Sequence, residues 1–194
     1  MRRPDHHVVS APVDMRSAAR QLDLIAETVK IAKELRIEVW LRGGWAMDFF
    51  LGKVTREHED IDWFTWIDDA PALALELTRH DYAPVPGPPR EQQLDFNKQD
   101  VDLSFALLSR DPSGRVVVGG GPWKGAPWPE NMIGAYVGRI DSLTCPIISP
   151  AAQIEIKQMM PVWIPGRPTR VKDIEDIARL QAAVVSRGEE SQRP

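Results

Sequence analysis

The sequence predicts an α+β fold, in which helices pack on a mixed β-sheet and a small helical lobe follows at the C-terminal end. Helix-like and strand-like segments alternate over the first eighty residues, several strand-like segments follow one another after residue 90, and two amphipathic segments close the pattern. The 194 residues suffice for one domain with a real core, or for two small lobes that share a cleft.

The first half of the chain alternates helix and strand, each recognised by the spacing of its apolar residues and by the residues that end it. The predicted elements are a helix over 17–35, a strand over 37–41, a helix from Gly43 and Gly44 that stops at Gly52, a strand over 61–66 and a helix over 69–80 with Asp69 as its N-cap. The proline-rich run APVPGPPR after them predicts a loop.

The second half begins with strands and ends with helices. Strands are predicted over 92–97, 100–108 and 115–119, and helices over 151–160 and 171–185. Gly119 to Trp128, GGGPWKGAPW, predicts an irregular loop beside the site, and no GKS or GKT follows it as a P-loop requires. The resulting division is a flexible N-terminus 1–16, a main domain 17–144, a C-terminal helical lobe 145–187 and a disordered tail 188–194.

The composition and net charge of the chain limit the expected binding partners and the expected cellular compartment. A net charge of −4 and a charged fraction of 27% provide no general attraction to nucleic acid or to an anionic membrane. Cys145 is the only cysteine, so no intrachain disulfide can form, and no apolar run approaches a membrane span. We therefore expect a cytoplasmic protein without a nucleic-acid or membrane partner.

Two carboxylates stand at the start of the strand in TREHEDIDWFTW. Side chains two apart on a strand point to the same face, so Asp60 and Asp62 share one face. Two neighbouring carboxylates repel each other unless a cation or a shared proton lies between them. The pair therefore predicts half of a metal site.

Two further features extend this site. Gly43 and Gly44 lie where a strand ends and a helix begins, so their backbone N–H groups can bind a phosphate. On a later strand, DVDLSF provides Asp102 as a third carboxylate that can also act as a general base, whereas Asp100 is interpreted as an exposed strand-edge residue. Oxygen ligands of this kind suit Mg²⁺, and two such ions support phosphoryl or nucleotidyl transfer.

The stretch GGWAMDFFLGKVTREHEDID resembles the signature of the polymerase-beta-like nucleotidyltransferases, and within them of the small aminoglycoside and lincosamide nucleotidyltransferases. The group begins with Gly-Gly-Trp and continues with Thr-Arg-x-His-x-Asp-Ile-Asp, and every one of these positions is matched. The likeness extends more thinly through VDLSF to RVKDIEDIARL, residues 170–180. It implies a nucleotidyltransferase fold, with residues 17–144 as its catalytic domain.

The resemblance implies transfer of a nucleoside monophosphate from an NTP, most plausibly ATP, to a hydroxyl of a small molecule, with release of pyrophosphate. It assigns Asp60 and Asp62 as metal ligands, Asp102 as third ligand and base, and Gly43 and Gly44 as the phosphate loop. Arg56 and Lys157 are predicted to contact the phosphates. The roles of His58 and Lys172 stay open, and both a monomer and a homodimer are compatible with the group.

One departure bears on the acceptor. The group often places histidine two positions after the third aspartate, where this chain has Ser104. Five tryptophans near the motifs would suit a flat or partly apolar acceptor: Trp45, Trp63, Trp66, Trp123 and Trp128. Four acidic residues are candidates for binding a polycationic aminoglycoside: Glu91, Asp95, Glu130 and Asp141. An aminoglycoside is the leading hypothesis; the alternatives are a lincosamide or other natural product, and a regulatory or toxin-antitoxin module that acts on a protein.

Overall fold

Five α-helices and eight β-strands make up the described part of the chain, which in this computed structural model comprises residues 14–164 and 166–190, with side chains as far as Arg187. Helices α1 to α5 span Met15–Leu35, Gly43–Leu51, Ala70–Arg79, Pro150–Trp163 and Val171–Glu190. Strands β1 to β8 span Val39–Arg42, Asp60–Trp66, Ala83–Pro84, Gln93–Lys98, Val101–Arg110, Val116–Val118, Val137–Ile140 and Leu143–Pro146.

Six strands form one mixed sheet in the order β1–β2–β5–β4–β3, with β6 paired to the far end of β5. Strands β2 and β5 are parallel, and the other neighbours are antiparallel. Strands β7 and β8 form a separate antiparallel pair. The predicted α+β fold, with helices on a mixed sheet and a helical C-terminal part, is confirmed.

One face of the large sheet forms the core. Side chains alternate along each strand, so Ile61, Trp63, Leu103 and Phe105 all point to this face, where each is almost fully buried. They pack with apolar residues of α1, α2 and α3, and Leu180 of α5 belongs to the same cluster. The C-terminal helix is thus anchored in the main core.

The opposite face of the sheet is divided into an apolar half and a polar half. Toward the ends of β2 and β5 it is apolar and packs with Met132 and the start of α4; its buried members are Trp40, Phe64, Leu108, Ile148 and Ala152. Toward the beginning of the same strands the alternation places Asp60, Asp62 and Asp102 on this face. The fold therefore holds the acidic residues beside an apolar layer.

The first helix begins earlier, and the last helix ends later, than the sequence predicts. Helix α1 begins at Met15 because the Asp14 side chain caps it, accepting from the Arg16 N–H at 3.0 Å. Residues 1–13 of the predicted flexible N-terminus lie outside the described residues, as do 191–194 of the predicted tail, whereas α5 continues to Glu190. Strand β8 spans the predicted boundary between residues 144 and 145, and the division into domains stays a prediction.

Several local features differ from the predictions. Asp69 precedes α3, but its side chain makes no capping hydrogen bond. Strands β3, β7 and β8 were not predicted, because β3 has two residues and β7 includes Gly138, which interrupts its apolar pattern. That glycine is required by packing, since a Cβ there would lie 2.6 Å from the Cβ of Phe49 in α2.

The β4–β5 hairpin has a strained turn. Its two loop residues, Gln99 and Asp100, both have positive φ, at 55° and 61°. This is the turn type that Asn-Gly favours. We expect a Gln99→Asn, Asp100→Gly double variant to raise the unfolding free energy by up to about 1 kcal/mol, measured by denaturant titration. Gln181→Asn, an exposed change on α5, should give no gain, and a destabilised hairpin variant would contradict the account of this turn.

Candidate functional site

The glycine pair lies at the N-terminus of α2, directly after β1. Gly43 has a positive φ of 70°, and a Cβ there would lie 2.8 Å from Oδ2 of Asp62. A Cβ at Gly44 would lie 2.5 Å from both Nη2 of Arg56 and Nδ1 of His58. The missing side chains therefore let the TREHEDID segment approach Gly43 and Gly44, which form a glycine wall at the N-terminus of α2.

The three predicted carboxylates lie together on the polar half of the sheet. Asp60 is directly opposite Asp102 on the neighbouring parallel strand, and Asp62 is opposite Ser104. Asp62 Oδ1 accepts hydrogen bonds from Ser104 Oγ at 2.7 Å and from the Arg42 guanidinium at 3.0 Å. The serine that replaces the group's histidine thus orients one of the predicted metal ligands.

Negative charge is concentrated on this face of the sheet. Burial, and after it the neighbouring Asp62 carboxylate, raises the pKa of Asp60. Asp102 Oδ1 accepts from Asn97 Nδ2 at 2.7 Å, a contact that the sequence analysis did not foresee. A cation bound here would relieve the repulsion between Asp60 and Asp62.

The donor set has the chemistry that Mg²⁺ requires. Asp60, Asp62 and Asp102 supply only carboxylate oxygens, two from one strand and the third from the strand beside it. Within the described ranges, no three acidic, histidine or cysteine side chains already converge as a complete metal site. Arg42 and Ser104 both bind Oδ1 of Asp62, which leaves Oδ2 as the oxygen of this carboxylate that would face an ion.

His58 and Asp48 form a buried pair behind the glycine wall. Nε2 of His58 lies 2.7 Å from Asp48 Oδ2, and Nδ1 lies 3.1 Å from Nη1 of Arg56. Because a guanidinium only donates, Nδ1 accepts and Nε2 donates its proton to Asp48. Asp48 also accepts from the backbone and hydroxyl of Thr55. The base that Asp48 binds is thus His58, and Arg56 contacts the other nitrogen of the same ring.

The same segment is tied to α1 through an aromatic side chain. Trp45 packs against the His58 ring, with centroids 4.3 Å apart, and its indole N–H donates to Gln21. Gln21 in turn donates to the His58 carbonyl oxygen at 2.8 Å. Through these contacts His58 fixes the position of the loop before β2.

A cationic cavity of about 200 Å³ lies beside the glycine wall. It is lined by Asp60 and Asp62 and by basic residues, among them both predicted phosphate contacts: Arg56, Lys157, Arg170 and Lys172. The cavity thus places basic groups next to the predicted metal ligands, which is the charge distribution that a triphosphate with its cations requires.

These basic residues are held by acidic residues. Arg56 donates through Nε and Nη2 to Asp176, at 3.3 and 3.0 Å. Lys157 donates to the same carboxylate at 2.9 Å and to Asp173 at 3.2 Å. Arg170 pairs with Asp173, as predicted. Arg56 and Lys157 therefore line the cavity and also anchor α5 to it.

Asp176 is the centre of this network and is fully buried. Burial alone would raise the pKa of its carboxyl, but the hydrogen bond from Arg56 and the charge of Lys157 outweigh that effect and lower it. Arg179 lies 3.6 Å from Asp176, and the closer partners of this carboxylate are Arg56 and Lys157.

A second cavity, of about 460 Å³, adjoins the first and is largely apolar, with three tryptophans in its lining. Trp123 and Trp128 of the predicted irregular loop line it, together with Trp163 of α4. Trp45 and Trp63, by contrast, are buried in the core, so they cannot contact an acceptor. Arg42 lines both cavities and connects them.

A third cavity, of about 570 Å³, opens on the other side of the carboxylates. Asp102 and Asp95 line it, with Asp60 and Asp62 at its inner end. Of the other acidic residues considered for the acceptor, Glu130 lines a different groove and Asp141 occupies the turn between β7 and β8. Asp95 is thus the candidate that the structure brings to the site.

No helix in the described part of the chain is both long enough and apolar enough to cross a membrane.

Strand β4 supplies residues that sequence reasoning underused. Its alternation places Asp95 and Asn97 on the face of Asp102, a signal present in the pattern QQLDFN.

Comparison with known proteins places this site in a family. A family model described as Aminoglycoside-2''-adenylyltransferase matches residues 24–180. Curated proteins named 2''-aminoglycoside nucleotidyltransferase, from Klebsiella pneumoniae and Escherichia coli, are 48% identical over 42 residues. That alignment covers 22% of this chain and only 24% of each of these relatives.

Solved structures support the fold. ANT(2'')-Ia in complex with adenylyl-2''-tobramycin is 21% identical, with a TM-score of 0.68 over 89% of this chain and 94% of that one. The lincosamide antibiotic adenylyltransferase LnuA, bound to lincomycin, is 19% identical, with a TM-score of 0.63 over 88% and 98%. At these identities the likeness concerns the fold.

Proposed function

The chain belongs to the aminoglycoside-2''-adenylyltransferase family, and from that premise we propose that it transfers a nucleoside monophosphate from an NTP to a hydroxyl of an aminoglycoside-type antibiotic. The observation that carries the proposal is the register of β2 and β5, which sets Asp60, Asp62 and Asp102 on one face beside the Gly43–Gly44 wall. Carboxylates next to a phosphate-binding helix N-terminus are suited to nucleotidyl transfer.

Asp60, Asp62 and Asp102 are the residues that would hold Mg²⁺, as one ion or two. The bound metal would neutralise charge on the phosphates and on the departing oxygen. The chain's own contribution is to hold the three carboxylates in adjacent positions of two hydrogen-bonded strands, with Ser104 and Asn97 each orienting one of them.

The chemical step needs a base on the acceptor side, and Asp102 has the position for it. Asp102 lies opposite Asp60 and lines the 570 Å³ cavity, and one of its oxygens is bound by Asn97. It would accept the proton of the acceptor hydroxyl as the hydroxyl oxygen bonds to the α-phosphorus. The bond from the α-phosphorus to the bridging oxygen breaks, and pyrophosphate leaves.

The cationic cavity is the proposed site of the triphosphate. Gly43 and Gly44 would offer backbone N–H groups, while Arg56 and Lys157 supply positive charge from positions fixed by Asp176. The adjoining apolar cavity would accept the nucleoside, because Trp123, Trp128 and Trp163 provide flat apolar surfaces for a base. The family's name indicates an adenylyl group, hence ATP.

A lincosamide is the second candidate for the acceptor, favoured by one observation. The 460 Å³ cavity is predominantly apolar, and its basic residues Arg42 and Arg167 would repel a polycation. In this second arrangement the cavity would hold the acceptor in place of the nucleoside, and an acceptor there would be less charged than an aminoglycoside. An aminoglycoside suits the acidic 570 Å³ cavity instead, so the two candidates occupy different sites.

Pyrophosphate release with Mg²⁺ tests the proposal. Each of the four NTPs is combined with a panel of aminoglycosides and lincosamides, and Asp102→Asn serves as the blank. We expect release that requires ATP and an aminoglycoside and that disappears in the blank. Release with lincosamides alone would select the second candidate. No release above the blank with any acceptor would contradict the proposed function.

A further inference from the structure

We propose that Asp95 binds a positively charged amino group of the acceptor and so selects amino-bearing acceptors. The inference rests on the proposed function, since it concerns the acceptor side of the same site. It assigns a role to a residue outside the nucleotidyltransferase motifs. Asp95 would act on specificity and take no part in the chemical step.

Asp95 lies in the same cross-strand row as a predicted metal ligand. The register pairs Arg42 with Asp62, Asp62 with Ser104, and Ser104 with Asp95, so these residues form one line across β1, β2, β5 and β4. Asp102 is the diagonal neighbour of Asp95 across the β4–β5 pair. Diagonal side chains of this kind stand roughly 7–8 Å apart, about the span of one sugar ring.

One oxygen of Asp95 has no hydrogen-bond donor. Oδ1 accepts from Gln93 Nε2 at 2.7 Å, whereas Oδ2 is buried without a partner among the residues that the structure describes. Because Oδ2 is covered by Gly87, a ligand donor would bind the remaining lone pair of Oδ1, and a carboxylate with a single donor is only partly satisfied. The carboxylate therefore has capacity for an N–H donor.

The negative charge of this cavity favours a positively charged group as the donor to Asp95. The carboxylates that line the 570 Å³ cavity are Asp60, Asp62, Asp95 and Asp102, and all but Asp95 have the metal as their proposed partner. Val85 and Pro86 form apolar walls beside Asp95, so an ion pair there would be poorly screened by water. Asp95 is thus the carboxylate left to bind a positive group of the acceptor.

The proline-rich loop before β4 covers this carboxylate at a glycine. A Cβ built at Gly87 would lie 1.7 Å from Oδ2 of Asp95, so only glycine lets the loop pass this closely. Gly87→Ala must therefore displace the loop or the carboxylate without changing the charge of the site. It perturbs Asp95 by a route independent of Asp95→Asn.

Calorimetric binding of tobramycin and of its fully N-acetylated form tests the inference, with turnover of both measured separately. We expect Asp95→Asn to weaken tobramycin binding by about 10- to 100-fold, because a charge-assisted hydrogen bond is lost. Binding of the acetylated form should be the same in both proteins, and the KM for ATP should stay within about twofold, since Asp95 does not line the cationic cavity. Gly87→Ala should reproduce the loss for tobramycin.

Two variants are matched controls. Asp100→Asn makes the same chemical change in the β4–β5 turn, where asparagine tolerates the positive φ, and Gly134→Ala adds a methyl group 3.4 Å from its nearest neighbour. Both should bind tobramycin as the wild type does. Unchanged tobramycin binding in Asp95→Asn, equal losses for the acetylated form, or no binding to the wild type would overturn the inference. Asp95-dependent binding without turnover would instead contradict the proposed function alone.

Discussion

Asn in place of Asp102 is expected to lower kcat by about 100- to 10,000-fold, the usual contribution of a positioned general base. Asp60→Asn and Asp62→Asn should reduce turnover to a similar or greater extent, because each removes a proposed metal ligand. Asp60→Asn and Asp102→Asn should leave the fold stable, whereas Asp62→Asn also removes the charge that pairs with Arg42. The carboxylates repel one another, and the raised pKa of Asp60 means that the protein already disfavours its charged form.

Steady-state kinetics together with thermal unfolding separates the two effects. Asp100→Asn, the same substitution in the neighbouring turn, is the control and should keep both activity and melting temperature. A variant of Asp60, Asp62 or Asp102 with full activity would contradict the role assigned to that residue. A variant that loses activity because it unfolds would leave its catalytic role without support.

Asp176→Asn is expected to lower the unfolding free energy by about 3–5 kcal/mol, since it leaves Arg56 and Lys157 partly buried without their shared carboxylate. The effect should appear as a lower midpoint in urea. Glu175→Gln, next to it in α5, removes an exposed carboxylate that contacts Arg179 at 3.4 Å and should change stability by about 1 kcal/mol or less. Equal midpoints for the wild type and Asp176→Asn would contradict the anchoring role.

Acidity should affect the same network. The folded-state pKa of Asp176 lies below its ordinary value of 3.8, so the stabilisation is fully present above that value and is lost as the pH falls through the folded-state pKa. Asp173 is shifted in the same direction. The stability difference between the wild type and Asp176→Asn should therefore hold from neutral pH down to about pH 4 and shrink below it.

The acidic half of the site could be predicted because it depends on local rules. Alternation along a strand is enough to put Asp60 and Asp62 on one face, and the structure adds that Asp102 lies directly opposite Asp60. The glycine pair was recognisable for the same reason, since the end of a strand and the start of a helix can be read within a few residues.

The contacts of the basic residues could not be predicted in this way. Arg56 and Asp176 are 120 residues apart, and no local pattern indicates that α5 returns to the TREHEDID segment. Asp48 has several basic residues within ten positions, and only packing decides that His58, stacked on Trp45, is the one it binds. Composition likewise could not separate the core residue Trp63 from the cavity residue Trp128.

The most direct test of nucleotidyl transfer is the mass of the acceptor after incubation with the protein, Mg²⁺ and ATP. The account predicts that an aminoglycoside gains one nucleoside monophosphate, that one pyrophosphate appears for each modified molecule, and that Asp102→Asn gives neither. An acceptor of unchanged mass while ATP is consumed, or a nucleotide found on the protein itself, would contradict the proposal that a small-molecule hydroxyl is the acceptor.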